Sequence, residues 1–443
     1  MLLLLLTATL AAPLCRTPDA LAALAGANPT HDTRILSPPP GLSIGIRADQ
    51  PSPPDGKPLY GTPYPDHQTS ENFLVTWTDA DVDPDVAERT LIDLEDGWTA
   101  LVEEQQWPVP VSGDIFKLWV LLDPAMSGTG LTTEYPTAEY PEGYPVIFLN
   151  PTYAQDTTFW RTLVVHEFAH TLQYRLRDYA GDPWEPWYWE ASAQWQAERA
   201  DPDNDGHLYT AAWYAERPGD RYDSMTDFHQ YGMFVFNAWL EEHQTGPDGL
   251  RQTWLLAADR QGTPWDEILA ESTGREASAL WADFAAAYGN GDLAESAGYA
   301  PAAQQGIVED GVGGSVAYLG TDYWSVAADG DVELLLDEPD AAVLSGVDST
   351  GQTLSVQAGD VLAVTGLIHD GFASYVLRLS DEDDHGGDGG PSEAEPDGPP
   401  SGERSGLEDE HGGKACSSAG APWGAALLAV PMLVARRRYR RGW

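Results

Sequence analysis

Between Asn72 and about Ala297 the chain mixes short apolar runs of strand length with longer stretches of helical period. Phe73 to Trp77, Ile115 to Leu122 and Pro145 to Leu149 are apolar runs that predict strands. Asp83 followed by Pro84 opens a segment to Gln106 in which Leu91, Leu94, Trp98 and Leu101 recur at spacings of three and four, which predicts a helix with one buried face. Thr157 to Arg177 carries a second helical signal, with Asp156, Thr157 or Thr158 as caps and Gly181-Asp182-Pro183 as the stop. Pro186 to about Ala297 is mostly helical in pattern. Past residue 305 the period changes to two: Leu354 and Val356 alternate with Ser355 and Gln357, and Tyr375, Leu377 and Leu379 with Ser374, Val376 and Arg378. Asp329-Gly330, Gly359-Asp360 and Asp370-Gly371 punctuate these runs as turns. The expectation is an α+β fold, mixed and then helical, over residues 69–300, followed by a small all-β, sandwich-like domain over 305–380.

The flanks read differently. Met1 to Leu14 is an apolar run followed by Ala20-Leu21-Ala22 and Ala23-Leu24-Ala25, so residues 1–25 fit a secretory signal, although they lack the basic start such signals carry; a short buried helix is the alternative. Cys15 has no small residue before it, which argues against lipidation. Residues 26–68 are rich in proline and predict an extended linker, and 381–415 are mostly Asp, Glu, Gly, Pro and Ser with almost no apolar residue, a tether that need not fold. No internal repeat is visible.

Composition narrows the function. With 443 residues, 42% hydrophobic, 21% charged and 17 Trp, most of the chain must fold. The formal charge of −47 excludes a groove that follows a phosphate backbone, so nucleic acid is not an expected partner. The two cysteines, Cys15 and Cys416, lie in the flanks, so a metal held by the folded body must use histidine and carboxylate.

His166-Glu167-Phe168-Ala169-His170 is an H-E-x-x-H motif in the middle of a helix signal. Two histidines four residues apart rise about 6 Å along one helix face and can reach a single zinc ion. At about 100° per residue, Leu163, His166, Glu167, His170 and Tyr174 share an arc that must face the interior or a cleft. A pair of satisfied core histidines is the competing explanation. A catalytic zinc needs a third protein ligand, and Glu190, in Trp187-Tyr188-Trp189-Glu190-Ala191-Ser192-Ala193, follows at a distance that lets a second helix return antiparallel. Zinc would lower the pKa of water to about 7, with Glu167 taking the proton as general base.

This pattern resembles the gluzincin group of zinc metallopeptidases, whose third ligand is a Glu on the helix after the active-site helix. The resemblance implies a zincin-like, thermolysin-like fold over about residues 72–298: a small sheet with an edge strand above the cleft, the zinc helix, then a helical half. Residue by residue it implies His166, His170 and Glu190 as metal ligands and Glu167 as general base. The family supplies an oxyanion donor from a downstream Tyr or His; Phe228-His229-Gln230-Tyr231-Gly232 offers both, and Tyr231, which opens an apolar helix, is preferred to His229. The chain departs from the thermolysin branch in having Gln194 where that branch places an Asp to orient a zinc-bound His; a Gln carbonyl can accept the same imidazole N–H without adding charge.

Three further features carry chemistry. Asp201-Pro202-Asp203-Asn204-Asp205-Gly206 spells the start of a calcium loop, but Ala212 stands where its bidentate Glu belongs, leaving another kind of Ca2+ site or a solvated acidic turn. Trp184, Trp187, Trp189 and Trp195 predict either core packing or an aromatic substrate rim. Finally, Cys416, the apolar stretch Ala421 to Ala435 and the cluster Arg436, Arg437, Arg438, Arg440 and Arg441 resemble the myxobacterial C-terminal sorting tag; a single-pass anchor is the alternative. That resemblance implies processing at Cys416 by a sorting protease, with the tag (416–443) meeting the membrane. Together these readings predict an exported, surface-anchored zinc endopeptidase acting on protein or peptide substrates. The reading from another class is a surface or adhesion protein that keeps the fold only to bind.

Overall fold

A computed structural model describes residues 66–380, apart from 78–81, 112, 114–116, 136–143, 177–184, 295–297, 310, 347–349 and 370. The signal, the proline-rich linker before residue 66, the tether, Cys416 and the C-terminal tag lie outside the described residues. Among those described, no helix is long and apolar enough to cross a membrane.

The first sheet has the order β1-β2-β3-β5-β4, with β1 Asp66–Thr69, β2 Phe73–Trp77, β3 Leu118–Leu122, β4 Gly130–Tyr135 and β5 Tyr144–Leu149. Its three central strands are parallel and its two edges antiparallel. Central parallel strands are buried on both faces and therefore read as unbroken apolar runs, which is why β2, β3 and β5 are visible in the sequence. The edges are not. β1 falls at the end of the stretch expected as linker, and β4 has the polar core Thr132-Thr133-Glu134.

Helix α1 (Pro84–Trp98) begins where Asp83 accepts a hydrogen bond from the Asp85 amide at 3.0 Å, and a π-helical turn continues it through Thr99–Glu104. Helix α2 (Thr157–Leu176) is capped by Asp156, which accepts from the Phe159 amide at 3.1 Å. The two helices meet the sheet around three rings: Phe73 stands edge-on to Phe168 at 5.4 Å, and Trp98 stacks on Phe168 at 6.0 Å. Phe168 itself is fully buried, worth about 2–3 kcal/mol of apolar burial. The arc drawn from the sequence is buried as expected, but so is nearly every residue of α2 from Thr162 to Tyr174, so this helix is central rather than amphipathic.

Among the described residues seven α-helices follow: α3 Pro186–Ala200, α4 Leu208–Glu216, α5 His229–Gly232, α6 Phe234–Leu240, α7 Gly249–Asp259, α8 Trp265–Thr273 and α9 Ala277–Asn290. Residues 304–380 then carry β6 Gln304–Ile307, β7 Val312–Ala317, β8 Thr321–Ser325, β9 Gly330–Leu336, β10 Ala342–Ser345, β11 Thr350–Gly351, β12 Thr353–Val356, β13 Val361–Gly366 and β14 Phe372–Ser380. They form two further sheets, ordered β11-β10-β13-β8-β6 and β12-β9-β14-β7, around an apolar cluster that includes Val332, Leu344, Leu362 and Leu377. β12 (Thr353–Val356) and β14 (Phe372–Ser380) show the two-residue alternation read from the sequence. This β region is joined to the helices through β8 (Thr321–Ser325) and β13 (Val361–Gly366): the Tyr214 and Tyr323 hydroxyls stand 3.1 Å apart, and Asn290 on α9 bonds both the amide and the carbonyl of Val361. The architecture is mixed α and β, compatible with α+β, and the described residues lie within one compact unit.

Asp201 to Gly206 acts as a clip between α2 and α3. Asp201 pairs with Arg161 of α2, the Asn204 amide donates to Thr158 O and Thr162 Oγ1, and His207 pairs with Glu198 of α3 in a buried contact. Asp203 and Asp205 point outward, and the three aspartates form no metal-holding group among the described residues. Arg161 also bonds Asp93 at 2.9 Å and Asp96 at 3.0 Å on α1, so one guanidinium ties three elements together. Burial pushes the Asp93 carboxyl up to about 6 even with Arg161 beside it. Arg161→Leu leaves that carboxylate without its cation and is expected to destabilise the fold by about 2 kcal/mol, a partly exposed version of breaking a buried pair, measured by urea unfolding.

Candidate metal centre

His166 and His170 project from α2 one turn apart, and α3 runs back across that turn to bring Glu190 between them. His166 Nε2 is 3.1 Å from His170 Nε2 and 3.2 Å from Glu190 Oε2, and His170 Nε2 is 3.6 Å from Glu190 Oε1. All three ligand atoms lie within 4.8 Å of one another, and this is the one such group among the described residues. Ligands held tetrahedrally at 2.0–2.1 Å stand about 3.3 Å apart, so the donor set and its spacing fit a His2Glu zinc site. None of the three residues is more than 3% exposed.

Two turns of unusual backbone deliver the other members. Glu185, immediately before α3, sits at φ 47°, and Asp227 and Phe228, immediately before α5, sit at φ 49° and 67°. Non-glycine residues held in the left-handed region store strain that the surrounding fold must hold, and such residues gather at functional sites. Gly232 lets α5 press onto α4: a Cβ there would stand 2.4 Å from the Tyr214 amide nitrogen. The result is that Tyr231 packs against the His166 ring at 5.9 Å, whereas His229 lies against the Tyr214 ring at 6.0 Å with neither ring nitrogen hydrogen-bonded.

The orientation of His170 is set by a residue the sequence reading passed over. Gln173, fully buried, places its carbonyl oxygen 2.7 Å from His170 Nδ1, while its amide donates to Trp189 O at 3.1 Å and Ser192 Oγ at 2.9 Å. Because both amide hydrogens are engaged on α3, the oxygen must face the imidazole. His170 then donates from Nδ1 and keeps the Nε2 lone pair for a metal. Gln194, expected from its position to do this, makes no such bond; its amide nitrogen is buried without a partner, as is His166 Nδ1. The signal for Gln173 was its place three residues after His170, on the same helix face.

Glu190 is buried, which raises a carboxyl pKa, but the charge of His170 and the hydrogen bond with His166 Nε2 outweigh that and hold it at about 2. Burial lowers the His170 pKa, and the Glu190 charge reverses this to a net rise. Glu167, next to His166, is fully buried and accepts a hydrogen bond from Thr132 Oγ1 of β4 at 2.7 Å. Trp187 and Trp189 are core residues, Trp189 flanking both His170 and Tyr174, while Trp195 is half-buried and bonds Glu241; Trp184 lies outside the described residues.

Residues 63–268 match the model of a family of unknown function (DUF6055), a span that contains every residue of this centre. No curated protein matches the chain.

Gln173→Leu is expected to weaken metal affinity about 10- to 100-fold, the usual effect of losing the partner of a liganding histidine, and Gln173→Glu to keep it; chelator competition measures both. His229 provides a separate pH effect. Burial, then the Arg217 charge, lowers its pKa to about 4 from 6.5. The unfolded chain therefore takes up a proton near pH 6.5 that the folded chain refuses until about pH 4, so stability from this group is complete above pH 6.5 and is lost as pH falls through that window. The loss amounts to about 3 kcal/mol, and His229→Phe should flatten the slope of unfolding free energy against pH over the same range.

Proposed function

We propose that the chain is a zinc-dependent endopeptidase with a zincin-like catalytic fold of the gluzincin type. The observation that carries this reading is the joint burial of His166, His170 and Glu190 with their ligand atoms within 4.8 Å, beside Glu167 on the same helix. His166, His170 and Glu190 would hold the ion, leaving a position for water or substrate. A zinc ion supplies Lewis acidity when bound, polarising a carbonyl and making water a better nucleophile near neutral pH.

The side chains supply the rest. Glu167 takes the proton of the attacking water and returns it to the leaving amine, and its Oε2 is held by the hydrogen bond from Thr132. Tyr231, whose ring packs against His166, would donate its hydroxyl proton to the developing oxyanion; that contact favours it over His229, whose ring lies tilted against Tyr214. Export through residues 1–25 and anchoring through 416–443, with processing at Cys416, complete the proposal and rest on the sequence alone.

One observation favours the second reading, in which the metal only supports a binding protein: Glu167, His170 and Glu190 are 0% exposed and Tyr231 1%. Groups withdrawn this far from solvent suit a metal that supports the fold. Glu167 separates the two, because a structural site has no use for a carboxylate that is not a ligand. In the proteolytic reading Glu167→Gln retains one zinc per chain while cleavage of unfolded casein falls about 100-fold or more. Glu190→Ala loses most of the metal, and Tyr231→Phe lowers kcat more than it raises KM. A wild-type protein that binds zinc yet cleaves no unfolded protein would establish the binding reading instead.

A further inference from the structure

We propose that Thr132, on the edge strand β4, is a positioning residue for Glu167, and that Gly130 two residues before it completes the same seat. This inference rests on the reading of Glu167 as general base. The Thr132 hydroxyl lies 2.7 Å from Glu167 Oε2 and 2.8 Å from the main-chain oxygen of the same residue. Both are acceptors, and a hydroxyl has a single proton to give them. One oxygen atom of β4 therefore links the side chain and the backbone of Glu167, fixing where the carboxylate stands relative to the helix that carries both histidines.

Gly130 shares that face of the strand, because side chains two apart point the same way. A Cβ on Gly130 would stand 2.4 Å from Glu167 Oε1, 2.8 Å from Cδ and 2.9 Å from Cγ. No side chain fits there unless the carboxylate moves. Thr132 thus holds one carboxylate oxygen while the bare backbone of Gly130 closes against the other.

The strand is itself fixed to what it positions. β4 pairs with β5 in register, Gly130 opposite Leu149 and Thr132 opposite Ile147, and the Tyr174 hydroxyl of α2 donates to the Thr132 carbonyl at 3.2 Å. Thr132 and Tyr174 are both buried. Donor and acceptor consequently belong to one rigid frame, with α2 bonded to β4 both at Glu167 and two turns further along.

A glutamate has three side-chain torsions, and a general base must lie within hydrogen-bond reach of the proton it abstracts. Misplacing a reacting group by about 1 Å can reduce rate about 100-fold. Removing the hydroxyl while keeping side-chain volume should therefore lower kcat and leave metal content intact. A threonine that merely satisfied the helix carbonyl would affect folding stability but not the split between kcat and KM.

The test compares Thr132→Val, Thr132→Ser and Gly130→Ala with the wild type in three measurements: zinc per chain, kcat and KM for unfolded casein, and the Glu167 side-chain position in crystal structures. Thr132→Val is expected to keep one zinc and an unchanged KM, lose about 10- to 100-fold in kcat, and show the carboxylate displaced by about 1 Å. Thr132→Ser restores both kcat and position. Gly130→Ala displaces the carboxylate from the opposite side with a similar loss. Thr132→Val crystals with Glu167 in its wild-type place, or a kcat within about twofold of wild type, would overturn the proposal. If the wild type cleaves nothing, the proteolytic reading fails, while the crystal structures still decide whether Thr132 and Gly130 set the carboxylate.

Discussion

The structure is organised around a carboxylate buried between two imidazoles. Taking Glu190 wholly out of water carries a penalty of several kcal/mol unless partners surround it, and among the described residues the side chains paired with it are His166 and His170. That requirement fixes how α3 lies on α2. It can neither slide along α2 nor rotate without leaving Glu190 buried and unpaired, so the contacts around it follow the same register. Gln173 bonds Trp189 O and Ser192, Trp254 of α7 donates to Ser192 at 3.1 Å, and Trp195 and Arg199 reach Glu241. A bound metal would take over the role of the histidine charge, and its uptake would displace protons, coupling affinity to pH.

Around this pair the fold supplies rigidity on one side and strain on the other. The first sheet and α1 enclose α2 through Phe73, Trp98 and Phe168, and the clip from Asp201 to His207 joins the far ends of α2 and α3. What looks in sequence like a cation-binding loop here has its first carboxylate paired with Arg161 and its Asn204 bonded to a helix, which makes it a brace. The strained backbone at Glu185, Asp227 and Phe228 falls just before the helices that bring in Glu190 and Tyr231. Regular turns at these points would aim those helices elsewhere.

The sequence by itself determined the elements with a strong local period. The H-E-x-x-H helix, its Asp156 cap, the Asp83 cap of α1, the central strands β2, β3 and β5, and the alternation in β12 and β14 were all legible, because their residues carry the burial pattern of their own element. Glu190 was legible as well, since a ligand on a neighbouring antiparallel helix needs only a suitable chain distance. Only the tertiary structure decided which polar groups face which. β4 was missed because its centre is the buried polar pair Thr132-Thr133 rather than an apolar run, and Thr132 holds Glu167. Gln173 rather than Gln194 orients an imidazole because the helix crossing, not the spacing from Glu190, places its amide against Trp189 and Ser192. Local periodicity records which side of an element is buried; the partner across the interface depends on the angle and register of two elements far apart in the chain, which no single stretch of sequence contains.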